Sequence, residues 1–111
     1  MPRKYCASKY YLRVFACLIL CSSFANAYSN ADLTALKNGM PIKVKRLIDR
    51  QVACNHWGGE EPYDEARATE IKHAVEKLKC STLEKDSDRL KKVYQLKPKV
   101  ISAINKAKEL Y

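Results

Sequence analysis

From about Asn30 to the C-terminus, apolar residues recur at intervals of three and four among charged ones, and no useful stretch alternates as a strand would. Asn30 to Leu36 makes a short first segment, stopped by Asn38-Gly39. Pro41 suits the first position of the next helix, whose apolar face is Val44, Leu47, Ile48, Val52 and Ala53. That helix is expected to reach Cys54 or His56 and to stop at Gly58-Gly59. Its β-branched start, Ile42-Lys43-Val44-Lys45, also admits a strand, although no partner strand is evident. Glu61-Pro62-Tyr63-Asp64 opens the following helix: Pro62 fits its first turn or the position before it, and Asp64 can cap free amides. Ile71, Val75 and Leu78 form that helix's stripe, with Ala74 beside them. Ser81-Thr82-Leu83-Glu84 has the order of a capping box and starts a helix with Leu83, Leu90, Val93 and Tyr94 inward. Lys97-Pro98 breaks it, and Val100, Ile101, Ile104, Ala107 and Leu110 stripe the last helix. The pattern predicts an all-α fold, a small three- to four-helix bundle forming one domain over residues 28–111.

The first 27 residues do not belong to that pattern. Arg3, Lys4, Lys9 and Arg13 precede an apolar run from Val14 to Leu20, and Ala25-Asn26-Ala27 supplies small residues for cleavage. This is the layout of a secretory signal peptide, and the run is too short for the roughly 20 apolar residues of a membrane span. Leu18-Ile19-Leu20-Cys21 invites a lipoprotein reading, but Leu20 is large where lipoprotein processing favours a small residue. A periplasmic or secreted product beginning at Tyr28 is therefore expected, with no membrane span after cleavage.

Export changes the charge and the cysteine arithmetic. The chain carries 21 basic and 12 acidic residues, a net +9, and the signal holds four of the bases and none of the acids, which leaves +5. That bias falls short of the dense basic stripe of a nucleic-acid binder, so no nucleic-acid partner is expected. Cys6, Cys17 and Cys21 leave with the signal; Cys54 and Cys80 remain, an even number in an oxidising compartment, which predicts a disulfide. Two separate buried thiols are the alternative.

The residues from Cys54 to Asp64 concentrate unusual chemistry: the only Trp, one of two His, two of three Gly and three carboxylates. If Cys54 ends one helix and Cys80 the next, the intervening loop must run back along a helix of roughly 25 Å. Nine extended steps reach about 30 Å, so the loop is expected to be taut. Gly58 and Gly59 would then permit close backbone approach or positive φ, and Pro62, Asp64 and Arg67 would structure its exit. Arg67 lies three residues after Asp64, a helical-neighbour spacing.

Three kinds of chemistry fit these residues. His56, Glu60 and Asp64, with Glu61 and with His73 from the next helix, are the donors of a zinc-like site, although their spacing matches no compact ligand motif. Paired carboxylates serve glycoside hydrolysis when set across a cleft, but Glu60 and Glu61 are sequence neighbours. No nucleophile has a recognisable setting and there is no phosphate loop, so neither catalysis nor a cofactor is expected. Partner binding fits best: His56, Trp57, Glu60, Glu61 and Tyr63 would sit on a constrained segment, and Trp and Tyr are enriched at interface hot spots. Trp57 could equally plug the core. The lysine- and arginine-rich stretch from Lys85 to Lys99 suits an anionic surface or a solvated face. The partner expected is another envelope protein or an anionic envelope component.

The run Cys54, His56, Trp57, Gly59, Glu60, Glu61, Pro62, Tyr63, Asp64, followed by Arg67, Cys80, Leu90 and Tyr94, resembles a group of small exported bacterial proteins of unknown function. The resemblance covers about residues 41 to 110. It implies a bacterial envelope protein and carries no activity with it. A weaker likeness is to lysozyme-inhibitor-like envelope domains, which place a Cys before Leu, Asp and Tyr on a helix. Cys80, Leu83, Asp86, Leu90 and Tyr94 follow that order at different intervals and without the later cysteines. It implies, as a hypothesis, inhibition of a cell-wall hydrolase.

Overall fold

A computed structural model describes residues 29–111. The signal-peptide expectation, with Cys6, Cys17 and Cys21, lies outside the described residues. Five α-helices follow in order: α1 (Asn30–Lys37), α2 (Ile42–Gly59), α3 (Glu65–Lys77), α4 (Leu83–Val93) and α5 (Pro98–Ala107), with one 3₁₀ turn at Cys80–Thr82 before α4. The all-α class and the Cys54–Cys80 disulfide are as expected, while the described residues form five helices rather than three or four.

α2 is the hub, touching every other element. Its Val44, Leu47, Ile48 and Cys54 are buried with Leu83 of α4 and with Val100, Ala103, Ile104 and Ala107 of α5. The strand alternative at Ile42–Lys45 is excluded, because those residues form the first turn of α2 after Pro41. α1 lies across α2 and α5; Ser29 caps it by accepting from the Asp32 amide, 3.3 Å. Leu33, Leu36 and Met40 close that side of the core.

Three sequence expectations need correction here. The capping box at Ser81–Glu84 does not form: Thr82 precedes α4 without a side-chain cap bond. Its hydroxyl instead donates within the network of Lys79 and Asp86, while Glu84 pairs with Lys108 at 2.8 Å. Val93 is 67% exposed. Leu83, Ser87, Leu90 and Tyr94 share one stripe, and at 3.6 residues per turn Val93 falls roughly 80° to its side. Finally, the Ile71, Val75 and Leu78 stripe is only half-buried and α3 has no buried residue. The helix lies against α2 and the 3₁₀ turn alone, so one neighbour covers half of what two would.

Two polar side chains lock α2 to its surroundings. Arg50 Nη2 donates to Lys79 O, Thr82 Oγ1 and Asp86 Oδ2 at 2.9, 3.0 and 2.9 Å. It thereby holds the turn where Lys79 adopts a left-handed φ of 53°, a conformation unusual for a residue with a Cβ. Asn55 Nδ2 donates to Ala107 O, Lys108 O and Leu110 O at 3.2, 3.2 and 2.5 Å. Carbonyls left open at the C-terminus of α5 are satisfied in this way.

Candidate functional site

The Cys54–Asp64 segment is not an extended loop. α2 continues through His56 and Trp57 to Gly59, so Cys54 sits inside the helix and only Glu60–Asp64 connects it to α3. The return distance is still covered. About 9 Å comes from six helical residues and up to roughly 17 Å from five extended ones, against about 20 Å for the thirteen residues of α3. Cys54 and Cys80 then meet with their Cα atoms 5.7 Å apart. The expected Cys54–Asp64 loop is shortened because α2 continues past Cys54 and His56 before it ends at Gly59. Neither Gly58 nor Gly59 has positive φ. Gly59 is closely approached by the Tyr111 ring, where a Cβ would lie 2.6 Å from Cε2; nothing around Gly58 requires glycine.

Together α2, the connection and α3 form a helical hairpin whose tip carries the singled-out residues. Asp64 caps α3, its Oδ1 accepting from the Arg67 amide at 2.7 Å. That bond fixes the first turn and so aims the Arg67 side chain back at α2. There its Nη2 donates to Glu60 Oε2, its Nη1 donates to Glu70 Oε2 at 2.7 Å, and its guanidinium carbon lies 5.2 Å from the centroid of the Trp57 ring. Cation–π distance and a planar donor fork are both used by one arginine. Glu60 also faces His56, Nε2 to Oε1 at 3.2 Å, and the His56 ring meets Trp57 edge-on, centroids 5.5 Å apart. Trp57 is half-buried, between the core role and the open interface role weighed from the sequence. Tyr63 stands out at 83% exposed; Glu61 is exposed too, and neither is hydrogen-bonded or ion-paired among the described residues.

Arg67's hydrogen bond, with a smaller contribution from the charge of His56 and against some desolvation, holds the Glu60 carboxyl below its ordinary value of 4.5. In return Glu60 and then Glu70 keep Arg67 more firmly protonated. On α4, the Arg50 bond lowers Asp86 from 3.8, and the Lys108 bond lowers Glu84 from 4.5. A carboxyl depressed in the folded state adds stability above its unfolded pKa, and this is lost as pH falls through the folded value. The urea midpoint should therefore decline as pH drops below about 4.5. Glu60→Gln should flatten part of that acid limb; an unchanged limb would show that the Glu60–Arg67 pair contributes nothing.

The arrangement bears on the metal reading. Glu60 is engaged by Arg67 and His56, and Asp64 by an amide. Among the described residues no group of three or more His, Cys, Asp or Glu side chains converges as a metal site would require. His56, Glu60 and Asp64 thus fail as a ligand set because each carboxylate already serves the fold. His73 is exposed on α3. The sequence reading missed Asn55, Arg50 and Glu70. Asn55 and Arg50 fall on the apolar stripe of α2 (Leu47, Arg50, Cys54; Ile48, Asn55), and a polar residue on an apolar face is the signal that marks them.

Comparison with protein-family models, with curated proteins and with solved structures returns no match to this chain. Among the described residues no helix is long and apolar enough to cross a membrane.

Proposed function

We propose that this chain is an exported, non-catalytic binding protein of the bacterial envelope, which engages a protein partner through the tip of the α2–α3 hairpin. The observation that carries the reading is the exposure of Tyr63, 83%, on an immobilised tip. The Asp64 cap and the Arg67 clamp act within it, and the disulfide closes the base of the same hairpin. A large amphipathic side chain held on a pre-ordered support loses little entropy on binding. Trp57 supports the tip from within, and His56 and Glu61 flank it. A cell-wall hydrolase is one partner class consistent with the sequence likeness at Cys80 to Tyr94.

Immobilised protein exposed to envelope extract, and separately to purified muramidase at micromolar concentration, tests the reading. Wild type should retain a saturable partner that Tyr63→Ala loses by ten-fold or more, with the circular dichroism unchanged. Identical recovery by wild type, Tyr63→Ala and Trp57→Ala would remove the tip as the contact.

A further inference from the structure

Away from the hairpin tip, a second surface carries charge that the fold leaves unmatched. A groove of about 460 Å³ separates the start of α2 from the end of α4. Lys43, Arg46 and Arg50 line one wall, and Arg89, Val93 and Tyr94 the other. Arg50 is engaged by Asp86, the only acid in the lining. Among the described residues no acid lies within ion-pair distance of Lys43, Arg46 or Arg89. A further cation, Lys97, sits at the same end with its ammonium 5.8 Å from the centroid of the Tyr94 ring.

Helix polarity sharpens the imbalance. α2 starts at this groove with its positive dipole end, and Pro41 provides no side-chain cap. Its first turn contains no acid; Lys43 and Lys45 stand there instead, and Arg46 follows directly. Cations at a helix N-terminus oppose the macrodipole, so folding alone disfavours this placement and a bound anion would relieve it. Aliphatic side chains are exposed in the groove wall and at chain positions adjoining it. Val93 in the groove wall is 67% exposed, Ile42 next to Lys43 is 61% exposed, and Leu96, two residues past Tyr94, is 90% exposed.

From this juxtaposition we propose that the face formed by the start of α2 and the end of α4 binds peripherally to a membrane surface rich in anionic phospholipid. Lys43, Arg46 and Arg89 meet headgroup phosphates, and Ile42, Val93 and Leu96 enter the interfacial layer. Basic clusters gain affinity from anionic lipid, and apolar side chains add to it by leaving water. A soluble acidic polypeptide would satisfy the cations but would give the three exposed aliphatics no role, which favours lipid. The surface is separate from Tyr63 and the hairpin tip, so this inference stands independently of the protein-partner reading.

Vesicle co-sedimentation of the oxidised protein as purified decides it. Phosphatidylcholine vesicles with and without phosphatidylglycerol are compared, with wild type and every variant in the same exported form beginning at Tyr28. Wild type should bind only vesicles containing phosphatidylglycerol, and binding should weaken at high salt. Arg46→Gln with Arg89→Gln should lose roughly thirty-fold, the effect of two cations near an anionic surface. Leu96→Ser should lose several-fold with the charges intact, whereas Tyr63→Ala should bind as wild type does. Binding indifferent to phosphatidylglycerol, or unchanged in the double arginine variant, overturns the proposal. So does an unaffected Leu96→Ser whose binding is competed by poly-glutamate, an outcome that makes the groove a polyanion site. Circular dichroism and an intact disulfide in each variant exclude unfolding as the cause of a loss.

Discussion

Reduction of Cys54–Cys80, or its replacement by a pair of alanines, is expected to lower the unfolding free energy by about 3.5 kcal/mol. This is the chain-entropy value for a sequence separation of 26. The effect should be uneven. α3 has no buried residue and lies only against α2 and the 3₁₀ turn, so its attachment depends on its half-buried stripe, the Arg67 clamp and the covalent link. Hydrogen exchange after reduction should therefore quicken first at the amides of α3, while α2, α4 and α5 open together and later. A fall in stability below about 1 kcal/mol, or uniform loss of protection across all helices, would show that packing rather than the disulfide holds α3. Since Tyr63 sits at the head of α3, reduction should also abolish whatever the hairpin tip binds.

Ile48→Ala should produce an effect of similar size and opposite distribution. Ile48 is fully buried on α2, amid residues from α4 and α5. Deleting three carbons there loses transfer free energy and leaves a cavity that the surrounding helices fill only in part, at a cost of about 2–5 kcal/mol. Because α2 touches every other element, protection should fall throughout the bundle instead of in α3 alone. Urea melts at constant m-value give the magnitude. A loss under about 1 kcal/mol would mean that the core collapses around the site far more readily than its burial suggests. In a domain of this size either change consumes much of the total stability, so the two experiments belong with oxidised wild type as their common reference.

The two perturbations also separate the surfaces assigned here. Residues of the basic groove come from α2 and α4, which the core joins, whereas the hairpin tip depends on α3. Reduction should weaken the tip before the groove; Ile48→Ala should weaken both.

Much of the helical architecture was legible in the chain because helix periodicity is a local property. Val44, Leu47 and Ile48 recur at the spacing that buries them, Asp64 stands where a cap must, and Pro98 stands where α5 starts. Cys54 and Cys80, the two cysteines outside the expected signal segment, were enough to predict their bond. Local rules misled where two signals competed at one place. α2 ends at the glycine pair as its sequence predicts, but it extends to Gly59 rather than to Cys54 or His56, since helix propensity disfavours glycine by only about 1 kcal/mol. Ser81–Glu84 has capping-box order, yet Lys108 claims Glu84 and Arg50 claims Thr82 from distant parts of the chain. Val93 belongs to the apolar count of α4, but the angle of the stripe puts it in the groove wall.

The residues from Cys54 to Asp64 show the same division. Sequence alone determined which unusual side chains are concentrated there, that a disulfide would bind them to the end of α3, and that Asp64 would start that helix. Only the tertiary structure decided that Glu60 faces Arg67 and His56, that Trp57 rests against a guanidinium, and that Tyr63 is left in water. It also brought Lys43 and Arg46 opposite Arg89, more than forty positions along the chain. Side-chain type and helical phase are written locally. Which helix faces which, and therefore which charges find partners, follows from burying one shared core.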